Sequence, residues 1–230
     1  MENFKNPYSE LGVAHTEGLD YVIKNIPANP KIEDLNQIVC KFVQKKMNYS
    51  ESTISNMELY SVIPHTYNAF INSDFGSFNL RQYDMIDIIY LWIKENPIEQ
   101  IEQVIIDFES NVMKHLMMKE QLPLLLCSSI AKSSNNYWQT RIYKPDGWEK
   151  FFYSEVFINR SNIPFWVLAS IQSTLFSSCF GKSTYIIQDP PQIAGPLFAT
   201  TLTASIGITA GLVIFKWTPL IKLPWKKSNY

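Results

Sequence analysis

The chain is poor in the residues that carry most catalytic and metal chemistry, with three histidines, three cysteines and eight glycines in 230 residues. Cys40, Cys127 and Cys179 are far apart and odd in number. With no C-x-x-C pair and no histidines at metal-ligand spacing, neither a disulfide framework nor a zinc site is expected, and reduced, packed thiols are. The few glycines form no P-loop and no dinucleotide-binding fingerprint, and a G-x-S-x-G elbow and an H-E-x-x-H pair are also missing. Charged residues make up 18% of the chain and the formal net charge is -1, so no global field draws it toward nucleic acid. The opening "MENFKNPYSE" has no apolar stretch that could act as a secretory signal, and folding is expected to begin in the cytosol. Alternating runs closed by Asn-Gly or Asp-Gly turns are absent, which argues against a β fold.

What the chain does have is apolar material, 46% hydrophobic and 14% aromatic. That composition points to extensive burial, and the length suffices for a core without covalent staples. Asn6-Pro7 is a helix-start signal, and Tyr8, Leu11, His15, Leu19 and Val22 then recur at helical spacing, with Gly18 beside them. Asn29-Pro30 opens a second amphipathic helix with Leu35, Ile38, Val39, Phe42 and Val43 inward and Lys41, Lys45 and Lys46 outward. Residues 48–79 read as short helices and loops. "DMIDIIYLWIKEN" is apolar nearly all round from Met85 to Ile93, a helix buried on several sides, although a strand fits its composition equally. After Asn96-Pro97, Ile98, Ile101, Ile105, Phe108, Val112 and Leu116 step by threes and fours, with Glu99, Glu102, Asp107, Glu109 and Lys114 opposite. Pro123 breaks or restarts the pattern, Ser128, Ser129, Ser133 and Ser134 suit a close helix contact, and "KPDG" at 144–147 is a turn.

Two segments near the end are uncharged. Residues 193–215, "IAGPLFATTLTASIGITAGLVIF", are long and apolar enough to cross a bilayer, and Ala199, Thr203, Gly207 and Gly211 form a small-residue strip at four-residue spacing. The tail after them carries Lys216, Lys222, Lys226 and Lys227 without an acid, together with Trp217 and Trp225, a pattern suited to a membrane surface. A lone span would send the preceding body across the membrane without a visible signal. A hairpin with residues 163–181 avoids this, although those residues fall below the hydropathy of an ordinary span. The competing reading makes 193–215 a core helix.

Candidate chemistry is sparse. "DFG" at 74–76 lacks every other kinase element, and His65 and His115 have no evident partner. His15, with Tyr8 or Tyr21, is the one weak candidate polar site, and a histidine on an apolar face is more often a hydrogen-bonded core residue. Glu99 and Glu102 share a wet helix face.

Residues 6–25, "NPYSELGVAHTEGLDYVIKN", resemble the opening of a group of uncharacterised bacterial proteins, chiefly from Bacteroidota, that begin N-P-Y-x-x-x-G-x-x-H-x-x-G-L-D-Y. "LCSSIAKSSNNYW" at 126–138 is similar to their serine-rich segment, and residues 193–215 sit where they carry an apolar stretch rich in small residues. The resemblance implies no activity, cofactor or catalytic residue.

The sequence thus predicts an all-α protein: a bundle-like helical body over 1–160, a hydrophobic helical region over 161–217 and a basic tail over 218–230. The expected role is non-catalytic, acting by protein interaction, with membrane lipid and an unidentified protein as partners and self-association possible through the small-residue strip. The alternative is a soluble all-α binding or immunity-type protein. No cofactor, metal or nucleic acid is expected.

Overall fold

The computed structural model describes residues 5–47, 62–63, 78–144, 146–151, 163–180 and 195–216. These form an all-α fold, with no strand among the described residues. The helices are α1 (Ser9–Asn25), α2 (Ile32–Met47), α3 (Leu80–Glu95), α4 (Ile101–His115), α5 (Met118–Tyr143), α6 (Ile163–Phe180) and α7 (Gly195–Ile214), with short 3-10 turns at Ile98–Gln100 and Trp148–Phe151.

Local signals set most helix starts. Asn6 does not cap α1 directly; its Oδ1 accepts from Tyr8 N at 2.9 Å, one turn ahead of the helix, which frees its amide to point inward. Asp34 reaches back to accept from Lys31 N at 2.8 Å, and Asn79 and Gln82 form a reciprocal capping box on α3. The α3 segment is therefore a helix that begins five residues before Met85. It buries Ile86, Ile89, Tyr90 and Ile93 and leaves Leu91 half exposed, a narrower apolar face than the composition suggested. Pro123 does not break α5 but lies inside it, because the helix starts at Met118, where Glu120 accepts from Met117 N at 2.9 Å.

Cross-helix bonds fix the directions. Asn6 meets Leu125 and Ser128, Gly12 meets Ser129, and Asp20 meets Tyr137 and Arg141, so α1 and α5 run parallel. Glu109 with Ser128, and Glu102 with Lys132, set α4 antiparallel to α5, and Ser134 with Ser170 does the same for α6. His15 with Ser205 and Gly18 beside Ile206 place α7 parallel to α1. Lys46 paired with Glu17, and Phe42 on Tyr21, turn α2 the other way. Gln82 on the Glu120 carbonyl puts the start of α3 beside the start of α5. Successive helices thus alternate up and down.

Helix α6 lies along α5, while α7 lies against α1, α2 and α6. Trp138 is fully buried between Trp148 and Trp166, with ring centroids 5.4 and 4.5 Å away, and joins the body to the start of α6. Asp146 (φ 50) and Gly147 (φ 102) make the expected turn after α5, and Arg141 holds Asp146 at 2.8 Å.

Candidate functional site: the inner face of the first helix

The inner face of α1 docks into a groove between α5 and α7. At its start, Asn6 Nδ2 donates to Glu109 Oε1 (2.5 Å), the Leu125 carbonyl (2.8 Å) and Ser128 Oγ (3.1 Å). Ser128 also donates to Glu109 Oε1 at 2.8 Å, so the carboxylate is held by two donors in the core. Glu109 is only 4% exposed, which corrects its expected place on the wet face of its helix. The signal that could have found it is local: position 109 adjoins Ile105 and Val112 on the helical wheel, at the edge of the apolar stripe.

One turn on, Gly12 N donates to Ser129 Oγ at 3.1 Å and Ser129 donates to the Tyr8 carbonyl at 2.8 Å. A Cβ at Gly12 would collide with the Ser129 carbonyl oxygen and Ser133 Oγ. Glycine is therefore required by backbone approach, and Ser129 and Ser133 of α5 line this contact. The segments 6–25 and 126–138 thus meet in space.

His15 is fully buried, with Nδ1 3.1 Å from Ser205 Oγ and no partner for Nε2 among the described residues. Burial alone pushes its pKa down to about 3, so it is neutral near pH 7. Neither tyrosine proposed as its partner forms a site with it: Tyr21 packs on Phe42 with centroids 5.5 Å apart, and Tyr8 joins the Ser129 contact through its backbone carbonyl. A sealed, neutral imidazole against a hydroxyl cannot exchange protons with a substrate in solvent.

Helix α7 carries two opposed stripes. Thr201, Ser205 and Thr209 repeat every four residues on one side; Thr209 Oγ1 lies 3.1 Å from Ser170, which lies 3.0 Å from Ser134. These hydroxyls link α5, α6 and α7 through the core. Thr201, Thr203, Asn135 and Gln172 keep buried polar atoms with no partner among the described residues. On the other side run Ala199, Thr203, Gly207 and Gly211, all buried. A Cβ at Gly207 would strike the side chain of Ile63, so this chain itself covers the middle of the small-residue strip.

At the far end of α1, Asp20 accepts from Tyr137 Oη (3.0 Å) and from Arg141 Nη2 (2.5 Å), and Trp148 Nε1 donates to Tyr137 Oη at 2.7 Å. Burial pushes the Tyr137 pKa up to about 12 against the opposing hydrogen bonds from Arg141 and Trp148. The thiols of Cys40 and Cys127 are buried and free, and burial pushes the Cys40 pKa up to about 12 and that of Cys127 higher still. Among the described residues no group of three His, Cys, Asp or Glu could hold a metal ion. Lys216 is exposed after α7 with φ 52. Trp217, Lys222, Trp225, Lys226 and Lys227, together with His65, residues 74–76 and the side chain of Cys179, lie outside the described residues.

The chain matches no protein-family model, no curated protein and no solved structure.

Proposed function

We propose that this is a non-catalytic all-α protein that acts by binding a protein partner through its outer surface, with α7 as the core helix of a water-soluble bundle. The observation that carries this reading is what surrounds α7. It packs against α1, α2 and α6, and the two helices α1 and α2 carry exposed Glu10, Glu17, Lys24, Lys41, Lys45 and Lys46 on their outer sides. Charged faces of this kind belong in water, and on the side of α1 and α2 they lie outside α7, which supports a core position for it. The apolar window Leu197–Ile214 is 89% buried, which is the condition of a core helix rather than of a lipid-facing span. A membrane hairpin of α6 and α7 requires α6 to abandon the Ser134–Ser170 contact with α5, and α7 to abandon the pairing of Ser205 with His15. Self-association through the small-residue strip requires displacing Ile63 from Gly207.

A binding role is favoured over an enzymatic one because the side chains with chemical potential are committed to the interior. His15, Ser128, Ser129, Ser134, Cys40 and Cys127 are all buried, leaving packing and hydrogen bonding as their work. Expression of the full chain followed by fractionation tests the reading. Recovery of a monodisperse helical protein without detergent is expected, and a requirement for detergent to keep the chain in solution overturns it.

A further inference from the structure

The tight corner between α4 and α5 has no role in the site above. It spans 113–119, "MKHLMMK", at the end of the bundle where α3 also begins. Leu116 plugs the core while Met113, Met117 and Met118 stand 39%, 54% and 59% exposed. Beside them Leu80 is 81% exposed. Glu120 ties this corner to the start of α3: its Oε1 accepts from Asn79 Nδ2 (2.6 Å) and its Oε2 from Met117 N (2.9 Å). Four exposed large apolar side chains at one end of the bundle are a costly arrangement for a surface with no occupant.

Charge identifies the occupant. Lys114, His115, Lys119 and Arg81 are exposed around the four apolar side chains. Glu120, the one acid within the corner among the described residues, is buried and spends both oxygens on internal donors; the Met117 N–H foremost, with Asn79, Arg81 and Lys119, favours its charged form. Asp84, the next exposed acid on α3, lies four residues or about 6 Å farther along the helix. Exposed flexible thioethers with cations around them suit a negatively charged, fluid surface, into which the apolar side chains can sink while the cations stay at the headgroups. We infer that the α4–α5 corner attaches the protein peripherally to anionic lipid bilayers, with Met117, Met118 and Leu80 entering the headgroup layer and Lys114, Lys119 and Arg81 facing the lipid phosphates and carboxylates. This attachment is independent of α7, which stays in the core.

Co-sedimentation of the full chain with phosphatidylserine-containing vesicles, against pure phosphatidylcholine vesicles, tests it. Binding to the anionic vesicles alone is expected, falling with added salt. The double variant Lys114→Ala/Lys119→Ala should bind about twenty-five-fold more weakly, at about fivefold per lysine. Met117→Ser/Met118→Ser should lose most binding while keeping the near-UV circular dichroism of the parent. Equal binding to neutral vesicles overturns the inference. So does anionic binding that survives both corner variants and disappears in Lys222→Ala/Lys226→Ala/Lys227→Ala, which assigns it to the tail. If the methionine variant instead abolishes a dimer or an acidic protein complex while vesicle binding is absent from the start, the corner is a protein-docking surface and the inference fails. The core-helix reading fails at a separate step, in the demand for detergent before any vesicle is added.

Discussion

His15 and Ser205, 190 positions apart in the chain, share a buried contact of 3.1 Å that ties the first helix to the last. The imidazole is fully enclosed, and burial holds its pKa at about 3, below the 6.5 of an exposed histidine. The folded protein therefore does not take up this proton until far below the pH at which the unfolded chain does. Stability from this site is fully present above pH 6.5 and is lost as pH falls toward 3. Between pH 7.5 and 5.5 the parent should lose about 1.4 kcal/mol more than His15→Gln, which does not titrate. Guanidinium unfolding of both proteins at the two pH values measures the difference, and identical pH dependence refutes the enclosed imidazole.

Asn6 offers a second test, because its amide nitrogen, with two N–H groups, lies within hydrogen-bond distance of three acceptors. Asn6→Ala leaves Glu109 and the Leu125 carbonyl short of a donor and should cost about 2 to 3 kcal/mol. Asn6→Asp places a second carboxylate against Glu109 and should be worse still at neutral pH. Ranking the two variants by their denaturation midpoints checks the geometry; aspartate performing as well as asparagine would contradict the network.

The glycines of α1 should differ from each other. At Gly12 an added methyl meets a backbone oxygen that cannot step aside, whereas at Gly18 it meets the Ile206 Cδ1 tip, which can. Alanine gains about 1 kcal/mol of helix propensity at either site. Gly12→Ala should nonetheless destabilise by about 2 kcal/mol or more, and Gly18→Ala by about 1 kcal/mol or less. Thermal unfolding followed at 222 nm separates the cases, and a neutral Gly12→Ala would show that α1 and α5 are not in backbone contact.

Tyr137 and Asp20 share a hydrogen bond yet should respond unequally. Tyr137→Phe removes the acceptor of the fully buried Trp148 indole and should cost about 1 to 3 kcal/mol, with a shift in tryptophan fluorescence. Asp20→Asn breaks an ion pair with Arg141 whose carboxylate is 40% exposed, so screening by water should keep that loss under about 1 kcal/mol. Equal losses from both substitutions would argue against this division of labour.

Helical periodicity made the element types readable, and the stripe from Ile101 to Val112 occupies the interior where its spacing put it. The capping acids and asparagines near the starts of α2 and α3 were equally local signals. What could not be read were partners supplied from far away. Glu109 looks solvated on its own helix and is buried because Asn6, 103 residues earlier, reaches it. The apolar run 193–215 could be lipid-facing or internal by composition, since burial depends on whether α1 and α2 wrap it. Likewise Pro123 ended the pattern on paper because the reciprocal contact of Glu120 with Met117, which starts the helix earlier, leaves no periodic trace. The corner at 113–119 was recorded only as the end of an apolar stripe, because exposure is not a property of spacing.

The contact of α1 with α5 and α7 also has a temporal side. During synthesis at about 5 to 20 residues per second, the partner of Gly12 emerges many seconds after it, and the partner of His15 follows the histidine by 190 residues. Until then α1 can pack on α2 and α5, but His15 lacks its contact on α7. Synthesis halted before residue 195 leaves α1 made and its groove open on one side, so that closing it waits for α7.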